Sequence, residues 1–253
     1  MTLPFPIGAC LVAGMLLFIA APDASALGQD RSFDIIEISK RMVALQRAGH
    51  YATALPWAER ALALSEEELG PDHPTVAIYA DHLAVLHHAM GEFAKAEASF
   101  QRALAIKERA LGVESRAMVP TLNHMAKLYV TTKQPRKAEA LLQRALRICE
   151  NGLDRDDTSV ATVLGNLAVL YEEEEQYAKA EPMLLRALAI QEKQLGPRHL
   201  SVAITLENYA HLLRQTRRPG EAVPLEARAK AIRKNIPLIQ QDLSKKPQPE
   251  KTP

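Results

Sequence analysis

The sequence predicts an all-α protein, a right-handed α-solenoid of about five stacked helix-turn-helix units. A period of 42 residues runs through most of the 253-residue chain, and apolar residues within each period recur at the spacing of amphipathic helices. Alanine and leucine are plentiful and aromatic residues make up only 5% of the chain, a composition that favours helix. Since one helix pair cannot bury its own apolar stripe, such units must stack, and the stack coils around one concave face.

The period is read from residues that recur at the same place in every unit. The pairs that close the units are Leu69-Gly70, Leu111-Gly112, Leu153-Asp154 and Leu195-Gly196. Two alanine columns and one arginine column persist through five units. They are Ala54, Ala96, Ala138, Ala180 and Ala222; Ala61, Ala103, Ala145, Ala187 and Ala229; and Arg60, Arg102, Arg144, Arg186 and Arg228. Alanine on each second helix allows the neighbouring helix to approach closely.

Each unit contains two predicted helices. In the first full unit, Gly91 separates two stripes of apolar residues that follow the helical period. The stripes are Val76, Ala80, Leu83, Ala84 and His87, then Phe93, Ala96, Phe100, Ala103, Leu104 and Leu111. The Leu-Gly pairs end the second helices, because glycine adopts the left-handed C-terminal conformation without penalty. We expect Thr75, Ser159 and Ser201 to cap the next first helices by accepting free amide protons.

Five prolines fall inside the predicted second helices. Pro135 and Pro219 stand near the first turn, where a missing N–H costs little. Pro56, Pro182 and Pro224 share a column about five residues further in, where each should remove one backbone hydrogen bond and bend the helix slightly. The shared column indicates that the bend belongs to the repeat.

The repeats divide the chain into three parts. Helix pairs occupy residues 33–236, and the first helix, from about Asp34 to Arg47, is degenerate, as terminal units of solenoids often are. Residues 237–253 are polar and proline-rich, and are predicted to be a disordered tail. Residues 1–26 have the character of a secretory signal, and they are treated last.

The segments between and within the units resemble a known family. Leu69-Gly70-Pro71-Asp72-His73-Pro74, followed by Thr75-Val76-Ala77 at a 42-residue period, is similar to the long tetratricopeptide repeats of kinesin light chain and nephrocystin-like proteins. A second resemblance is to the tetratricopeptide consensus itself. The residues that carry it are Leu164, Leu167, Ala168 and Tyr171, with Ala180 and Ala187. His87 and Leu213 depart from it in the tyrosine column. The resemblance implies a solenoid that binds a protein or peptide, and it is more specific for fold than for partner.

By this resemblance the first helices line the concave groove. It places nine candidate binding residues there: His82, His124, Asn166, Asn208, Asn123, Lys127, Glu172, His211 and Arg214. The first four form one column of the repeat together with Lys40. Two interpretations of this column remain open, namely bracing of neighbouring units and hydrogen bonding to an extended peptide backbone.

The sequence shows no motif of an enzyme. Glycine-rich phosphate loops, a nucleophile elbow and paired carboxylates do not occur, so we expect neither catalysis nor a cofactor. The alternative is a metal-dependent enzyme or hydrolase accessory that uses the histidine-rich first full unit. Zinc would then be held by His82, His87, His88 and His124, although these offer no pair of histidines four residues apart.

Charge and cysteine content narrow the classes of partner. A net charge of +1 gives no reason to expect nucleic acid. The arginine column is expected to pair with acidic residues such as Glu97, Glu139 and Glu181. Cys149 has no base in its own segment and is interpreted as a helix residue without a special role.

The amino-terminal segment predicts export. Ile7 to Ala21 is an almost unbroken apolar run, and Ala24-Ser25-Ala26 follows it, which is the pattern of a cleaved secretory signal. No lysine or arginine precedes the run, which departs from that pattern. Cleavage after Ala26 would place the protein in the periplasm or outside the cell, with no membrane span left. The alternatives are an uncleaved anchor formed by residues 7–21 and lipidation at Cys10.

We predict that the protein isolated from its native host begins at Leu27. Amino-terminal sequencing measures this directly. An intact Met1 or a lipid-modified Cys10 would contradict the prediction.

Overall fold

The computed structural model describes residues 31–152 and 157–235, and these fold into ten α-helices. The helices are α1 (Arg31–Arg47), α2 (Tyr51–Leu69), α3 (Pro74–Ala89), α4 (Phe93–Leu111), α5 (Val119–Thr131), α6 (Pro135–Gly152), α7 (Thr158–Glu173), α8 (Tyr177–Leu195), α9 (Leu200–Gln215) and α10 (Pro219–Lys234). Odd-numbered helices are the first helices of units 1 to 5, and even-numbered helices are the second. The all-α solenoid of five stacked helix pairs is thereby confirmed. The predicted signal, 1–26, and the predicted tail, 237–253, lie outside the described residues.

The helix bounds follow the repeat closely. Every second helix begins in the same column, and prolines Pro135 and Pro219 are the first residues of α6 and α10, as predicted. Pro56, Pro182 and Pro224 lie inside α2, α8 and α10, again as predicted. The first helix begins earlier than expected, at Arg31 rather than Asp34.

A three-residue turn connects the two helices of each unit. In all five turns the middle residue has a positive φ: Gly49, Gly91, Lys133, Glu175 and Arg217. In unit 2 the Gly91 amide donates to the His88 carbonyl at 3.0 Å, and the Glu92 amide donates to the His87 carbonyl at 2.9 Å. These two bonds satisfy carbonyls at the helix end. In units 3, 4 and 5 the middle residue is a lysine, a glutamate and an arginine, and each adopts a conformation that glycine adopts most easily.

The first helices are capped by other residues than expected. The side chains of His73, Ser115, Asp157 and His199 accept the amide two residues further on. The expectation for Thr75, Ser159 and Ser201 is wrong, because each of them donates that amide instead. The caps lie two residues earlier than predicted, and imidazole nitrogens replace hydroxyls at two of them.

Both alanine columns lie at the contacts between helices. All ten residues are at most 1% exposed, and the largest buried cluster extends from Ala84 in α3 to Leu212 in α9. A side chain of one methyl group lets two helix backbones approach closely, while larger residues such as Phe100 and Leu142 fill the remaining space. This cluster therefore extends through units 2 to 5, while a second cluster joins unit 1 to unit 2.

The arginine column forms a ladder along the second helices. Four of the five arginines pair with a glutamate of the preceding second helix, 36 residues earlier: Arg102 with Glu66, Arg144 with Glu108, Arg186 with Glu150 and Arg228 with Glu192. Acidic partners were expected, but the glutamates named from the sequence are wrong. Such partly exposed pairs contribute about 1 kcal/mol or less each.

Glu97 and Glu139 instead accept hydrogen bonds from tyrosines of the next unit. Tyr129 donates to Glu97 and Tyr171 to Glu139, both at 2.7 Å. Burial, together with the Glu97 carboxylate, raises the pKa of Tyr129 to about 12, so its hydroxyl stays a donor.

The two departures in the tyrosine column are compensated. Between units 1 and 2, His87 stands at the repeat position of the tyrosine and Leu55 at the repeat position of the glutamate that the tyrosine binds in later units. The donor and the acceptor are therefore replaced together. At the last boundary Leu213 lacks a hydroxyl, and Tyr209, one turn earlier, donates to Glu181 at 3.0 Å. This bond between units is therefore preserved by a residue from another column.

A buried polar group, here called the boundary triad, joins units 2 and 3. It consists of Asp81 in α3, Lys107 in α4 and Thr121 in α5. Lys107 pairs with Asp81 and donates to Thr121 at 2.7 Å, and Thr121 donates to Asp81 Oδ2 at 2.8 Å. Lys107 is only 5% exposed. A buried ammonium of this kind is tolerated because a carboxylate and a hydroxyl surround it.

At the other unit boundaries, the residues at the repeat positions of Asp81, Lys107 and Thr121 also change together. Unit 4 and unit 5 meet at Gly165, Gln191 and Thr205, and there Thr205 donates to Gln191 at 2.7 Å. Unit 5 has Glu207 with Arg233, joined by bonds of 2.6 and 2.7 Å. Units 3 and 4 have the uncharged set Asn123, Cys149 and Val163. An acidic residue at the repeat position of Asp81 thus occurs together with a basic residue at the repeat position of Lys107.

The uncharged set offers a test of the boundary triad. Lys107→Cys alone should lower the free energy of unfolding by about 3–5 kcal/mol, because it leaves the Asp81 carboxylate buried without its cation. The triple change Asp81→Asn, Lys107→Cys and Thr121→Val copies the next boundary, and should stay within about 1 kcal/mol of wild type. Urea unfolding measures both. A triple variant as unstable as the single one would contradict this account.

The alanine contact gives a second prediction. Ala145→Leu, in the middle of the array, should destabilise the protein by about 1–3 kcal/mol through overpacking. Ala229→Leu, in α10, should cost less because that helix has a neighbouring unit on one side only among the residues that the structure describes. The midpoints of urea unfolding measure both effects, and an Ala145→Leu midpoint equal to that of wild type would mean that the close contact is absent.

Candidate functional site

One side of the array, here called the first-helix face, carries a row of cavities between successive first helices. The α3–α5 cavity has a volume of about 430 Å³, and the α5–α7 cavity one of about 440 Å³. They adjoin, since Ala117, Pro120 and His124 line both. A third cavity of about 470 Å³ lies against α1 and is lined by Lys40, Val43 and Tyr79 among others. Three first helices, α3, α5 and α7, therefore border the two adjoining cavities.

The structure brings five of the nine predicted binding residues to these cavities. His82 lines the α3–α5 cavity, His124 lines both, and Asn123, Lys127 and Asn166 line the α5–α7 cavity. The other four residues lie beyond them on α7 and α9: Asn208, Glu172, His211 and Arg214. The binding role of all nine stays a prediction.

Residues of the polar column brace neighbouring units at two positions. Asn166 Nδ2 donates to Asn123 Oδ1 at 2.9 Å, which joins α7 to α5. His82 Nδ1 lies 3.2 Å from Gln46 Oε1, which joins α3 to α1. His124 Nδ1 is buried and has no hydrogen-bond partner among the described residues. Bracing is therefore one role of this column, and His124 has a polar atom to spare.

Carboxylates at the inward positions are already paired. Asp81 pairs with Lys107, Glu172 with His211, and Glu207 with Arg233. Arg214 likewise binds both carboxylate oxygens of Glu226, at 2.6 and 2.8 Å. Lys127 is exposed and makes no ion pair within residues 31–152 and 157–235. The uncompensated charge at the centre of the face is therefore positive.

The histidines near the cavities are held in the neutral form. Burial lowers the pKa of His82 and His124, and nearby Lys127 lowers that of His124 further. Burial and Lys127 also lower the pKa of His88. These imidazoles are uncharged near neutral pH and act as neutral donors or acceptors.

Three of the four histidines of the zinc alternative have separate partners. His87 Nδ1 lies 2.6 Å from Glu92 Oε2, and His88 Nε2 lies 3.1 Å from Thr131 Oγ1, whereas His82 contacts Gln46. Within the part of the chain that the structure describes, no three histidine, cysteine or acidic side chains are grouped to hold a metal. None of the helices described is both long enough and apolar enough to cross a bilayer.

Sequence reasoning missed one residue of the apolar wall of the α3–α5 cavity, Ile78. Ile78 is 49% exposed and lines the α3–α5 cavity together with Val85 and Leu111. An exposed isoleucine on a first helix, outside the core stripe, was the available signal. Cys149 lines the α5–α7 cavity, but burial raises the pKa of its thiol, which agrees with a residue of no special reactivity.

Comparisons with known proteins agree with this architecture. The sequence profile of the tetratricopeptide repeat matches residues 43–109, 80–151 and 159–235. No curated protein gives a significant match. BtubC (BKLC) from P. vanneervenii has a similar structure, with a TM-score of 0.67 and 24% identity over 87% of this chain and 85% of that one.

Two further solved structures share the fold. A kinesin light chain candidate of Podosopora anserina, with nearly identical TPR-like repeats, has a TM-score of 0.66 and 22% identity over 81% of this chain and 96% of that one. Bacillus thuringiensis PlcR, solved with the peptide PapR7 and DNA, has a TM-score of 0.65 and 14% identity over 87% of this chain and 77% of that one. The profile covers more than half of the sequence, and the helix pairs coincide with its repeats, so the chain belongs to the tetratricopeptide repeat family.

Proposed function

We propose that the protein binds another protein, through an extended peptide segment, on its first-helix face, and that it acts as a scaffold rather than as an enzyme. The observation that carries the proposal is the row of adjoining cavities on that face, which combines exposed apolar walls with polar atoms. Membership of the tetratricopeptide repeat family supports it. The similar PlcR structure contains a peptide, which is a further reason to consider a peptide ligand.

The spacing of the cavities suits an extended chain. Neighbouring packed helices lie roughly 8–10 Å apart, and an extended peptide advances about 3.3 Å per residue. One unit therefore corresponds to about three residues of the partner. A segment that crosses from the α1 cavity to the α5–α7 cavity would have about nine residues.

The charge of the face limits what this segment contains. Lys127 stands at the edge of the α5–α7 cavity without an ion pair among the described residues, while the inward carboxylates have partners. An acidic side chain beside Lys127 would gain a cation without displacing an existing pair. Asn123 and Asn166 already hydrogen-bond one another, so either would need to exchange that bond to bind a peptide.

Export to the cell envelope is part of the proposal. It rests on the apolar run of residues 7–21 and on the Ala24-Ser25-Ala26 site that follows it. The partner would then be a protein of the envelope or of the extracellular space. A metal-dependent function has no comparable support, because three of the four histidines that it would use bind different partners and no metal-holding group occurs among the described residues.

The proposal predicts that Lys127→Glu lowers the yield of the bound partner. Partner proteins would be captured on the purified protein from the envelope fraction of the native host and quantified by mass spectrometry. Reversal of the unpaired charge should reduce capture about 5-fold or more, which corresponds to about 1 kcal/mol.

Lys230→Glu is the matched control. Lys230 is also exposed, but it lies on α10, a second helix, so the same change of charge should leave capture as in wild type. Equal capture by Lys127→Glu and wild type would contradict binding at the centre of the first-helix face.

A further inference from the structure

We propose that His73 and His199 make two of the first helices sensitive to pH, because protonation of either imidazole breaks the hydrogen bond that caps its helix. The helices concerned are α3 and α9, whereas α5 and α7 are preceded by caps that acid leaves in place. The inference concerns a device built into the fold, and it stands whether or not the first-helix face binds a peptide.

Each of the two histidines accepts a hydrogen bond through one ring nitrogen. His73 Nδ1 accepts the Thr75 amide at 3.2 Å, and His199 Nδ1 accepts the Ser201 amide at 3.1 Å. Both residues have the extended backbone typical of a cap, with φ of −72° and ψ of 140° and 148°. A nitrogen that accepts carries no proton, so each cap requires the neutral imidazole with its proton on Nε2.

Protonation removes the cap and adds an unfavourable charge. An imidazolium donates from both nitrogens and has no acceptor, so the amides of Thr75 and Ser201 would lose their partner. The charge would also stand at the amino end of a helix, where the backbone carries a partial positive charge. The unfolded chain binds the same proton without losing a hydrogen bond. The stability that these caps contribute is therefore present near neutral pH and is lost as the pH falls through the range in which imidazole protonates.

The charged groups around His73 do not replace the lost bond. They are Asp72 in the turn, Glu66 and Glu68 at the end of α2, Arg102 and Arg109 on α4, and Arg116 before α5. Arg109 pairs with Asp72 and Arg102 with Glu66, so these two carboxylates are already compensated. Glu68 is exposed, and solvent screens its charge. Within the part of the chain that the structure describes, His73 forms no ion pair.

The surroundings of His199 disfavour an added positive charge. The charged groups there are Arg198 in the turn, Glu192 and Lys193 on α8, Arg228 on α10, and Asp157 before α7. Arg228 pairs with Glu192, and Arg198 would repel an imidazolium on the next residue. His199 likewise forms no ion pair with a described residue.

The caps that precede α5 and α7 do not depend on imidazole. Ser115 accepts the Ala117 amide at 3.4 Å through a hydroxyl, which does not titrate in this range. Asp157 accepts the Ser159 amide at 2.7 Å. Hydrogen bonds from the backbone and side chain of Ser159 hold the pKa of the Asp157 carboxyl below its usual range, so it remains an acceptor in mild acid. Four equivalent caps thus divide into two that acid opens and two that it does not.

Acid would consequently act on one wall of the α3–α5 cavity. Pro74, the first residue of α3, and Ile78, one turn further on, both line that cavity. The α5–α7 cavity is lined instead by residues of α5 and α7 and of the segments beside them, where the caps persist. Only the first of the two adjoining cavities should therefore loosen when the histidines are protonated.

The test compares the unfolding of variants that copy another unit of the repeat. Urea unfolding of the full protein, followed by circular dichroism at about pH 7.5 and about pH 5, gives the factor by which acid raises the unfolding equilibrium constant. His73→Asp and His199→Asp each insert the acid that unit 4 has at this position, Asp157. Either should reduce the factor about 5-fold, which corresponds to about 1 kcal/mol, a typical value for a cap. The two changes together should reduce it about 25-fold, since distant sites act independently.

His50→Asp is the matched control. His50 stands directly before α2 and is exposed, but its side chain makes no capping hydrogen bond. Its replacement should leave the factor within about 2-fold of wild type, because only the weak effect of charge at an exposed helix end remains. His73→Ser, which copies Ser115 of unit 3, is a second variant and should behave as His73→Asp does.

Nitrogen-15 nuclear magnetic resonance of the histidine rings at about pH 7.5 examines the caps directly. Nδ1 should be the unprotonated nitrogen of His73 and of His199, with each signal assigned by its absence from the aspartate variant. Three results would overturn the inference. They are a proton on Nδ1 of these rings, a factor that neither aspartate variant changes, and a reduction by His50→Asp as large as theirs. Capture of a partner through Lys127 tests the proposed function separately, so either conclusion is able to fail alone.

Discussion

Close contact between helices at the alanine columns is the constraint on which the rest of the structure depends. A methyl group at Ala103 or Ala145, fully buried, lets the next unit approach until larger side chains interlock. Because the same contact recurs every 42 residues, each unit is placed on the previous one by the same operation. The first helices consequently fall side by side, and the spaces between them become the cavities of the first-helix face. The cavities thus arise from the way in which the units pack on one another.

The columns around this contact can change without disturbing it, provided that partners change together. At one boundary Asp81, Lys107 and Thr121 form a buried polar group, whereas at the next Asn123, Cys149 and Val163 stand in the same places. A buried charge without its partner would be costly, so acid and base occur as a pair. These substitutions also give each cavity its own chemistry. Asp81 and Lys107 line the α3–α5 cavity, while Asn123 and Asn166 line the neighbouring one and bind each other.

Much of the fold is predictable from the sequence, because the same pattern of residues recurs in each unit. The period, the helix pairs and the prolines at Pro135 and Pro219 follow from spacing alone. The glutamate partners of the arginine column do not follow from the spacing. Arg144 reaches Glu108 of the preceding second helix rather than the predicted Glu139, because the offset between stacked helices decides which side chains face each other. Helix caps by His73 and His199 were missed since imidazole is not a usual cap. For the candidate site, the sequence indicates the face but not every residue that lines its cavities.

The central claim is that the first-helix face is the surface that meets the partner. Photo-crosslinking in the native host tests it most directly, with p-benzoylphenylalanine placed at Val85 and Val169 on first helices and at Leu185 on a second helix. All three positions are apolar and at least partly exposed. The account predicts that Val85 and Val169 yield adducts with the same protein and that Leu185 does not. Adducts from Leu185 with none from Val85 or Val169 would contradict it.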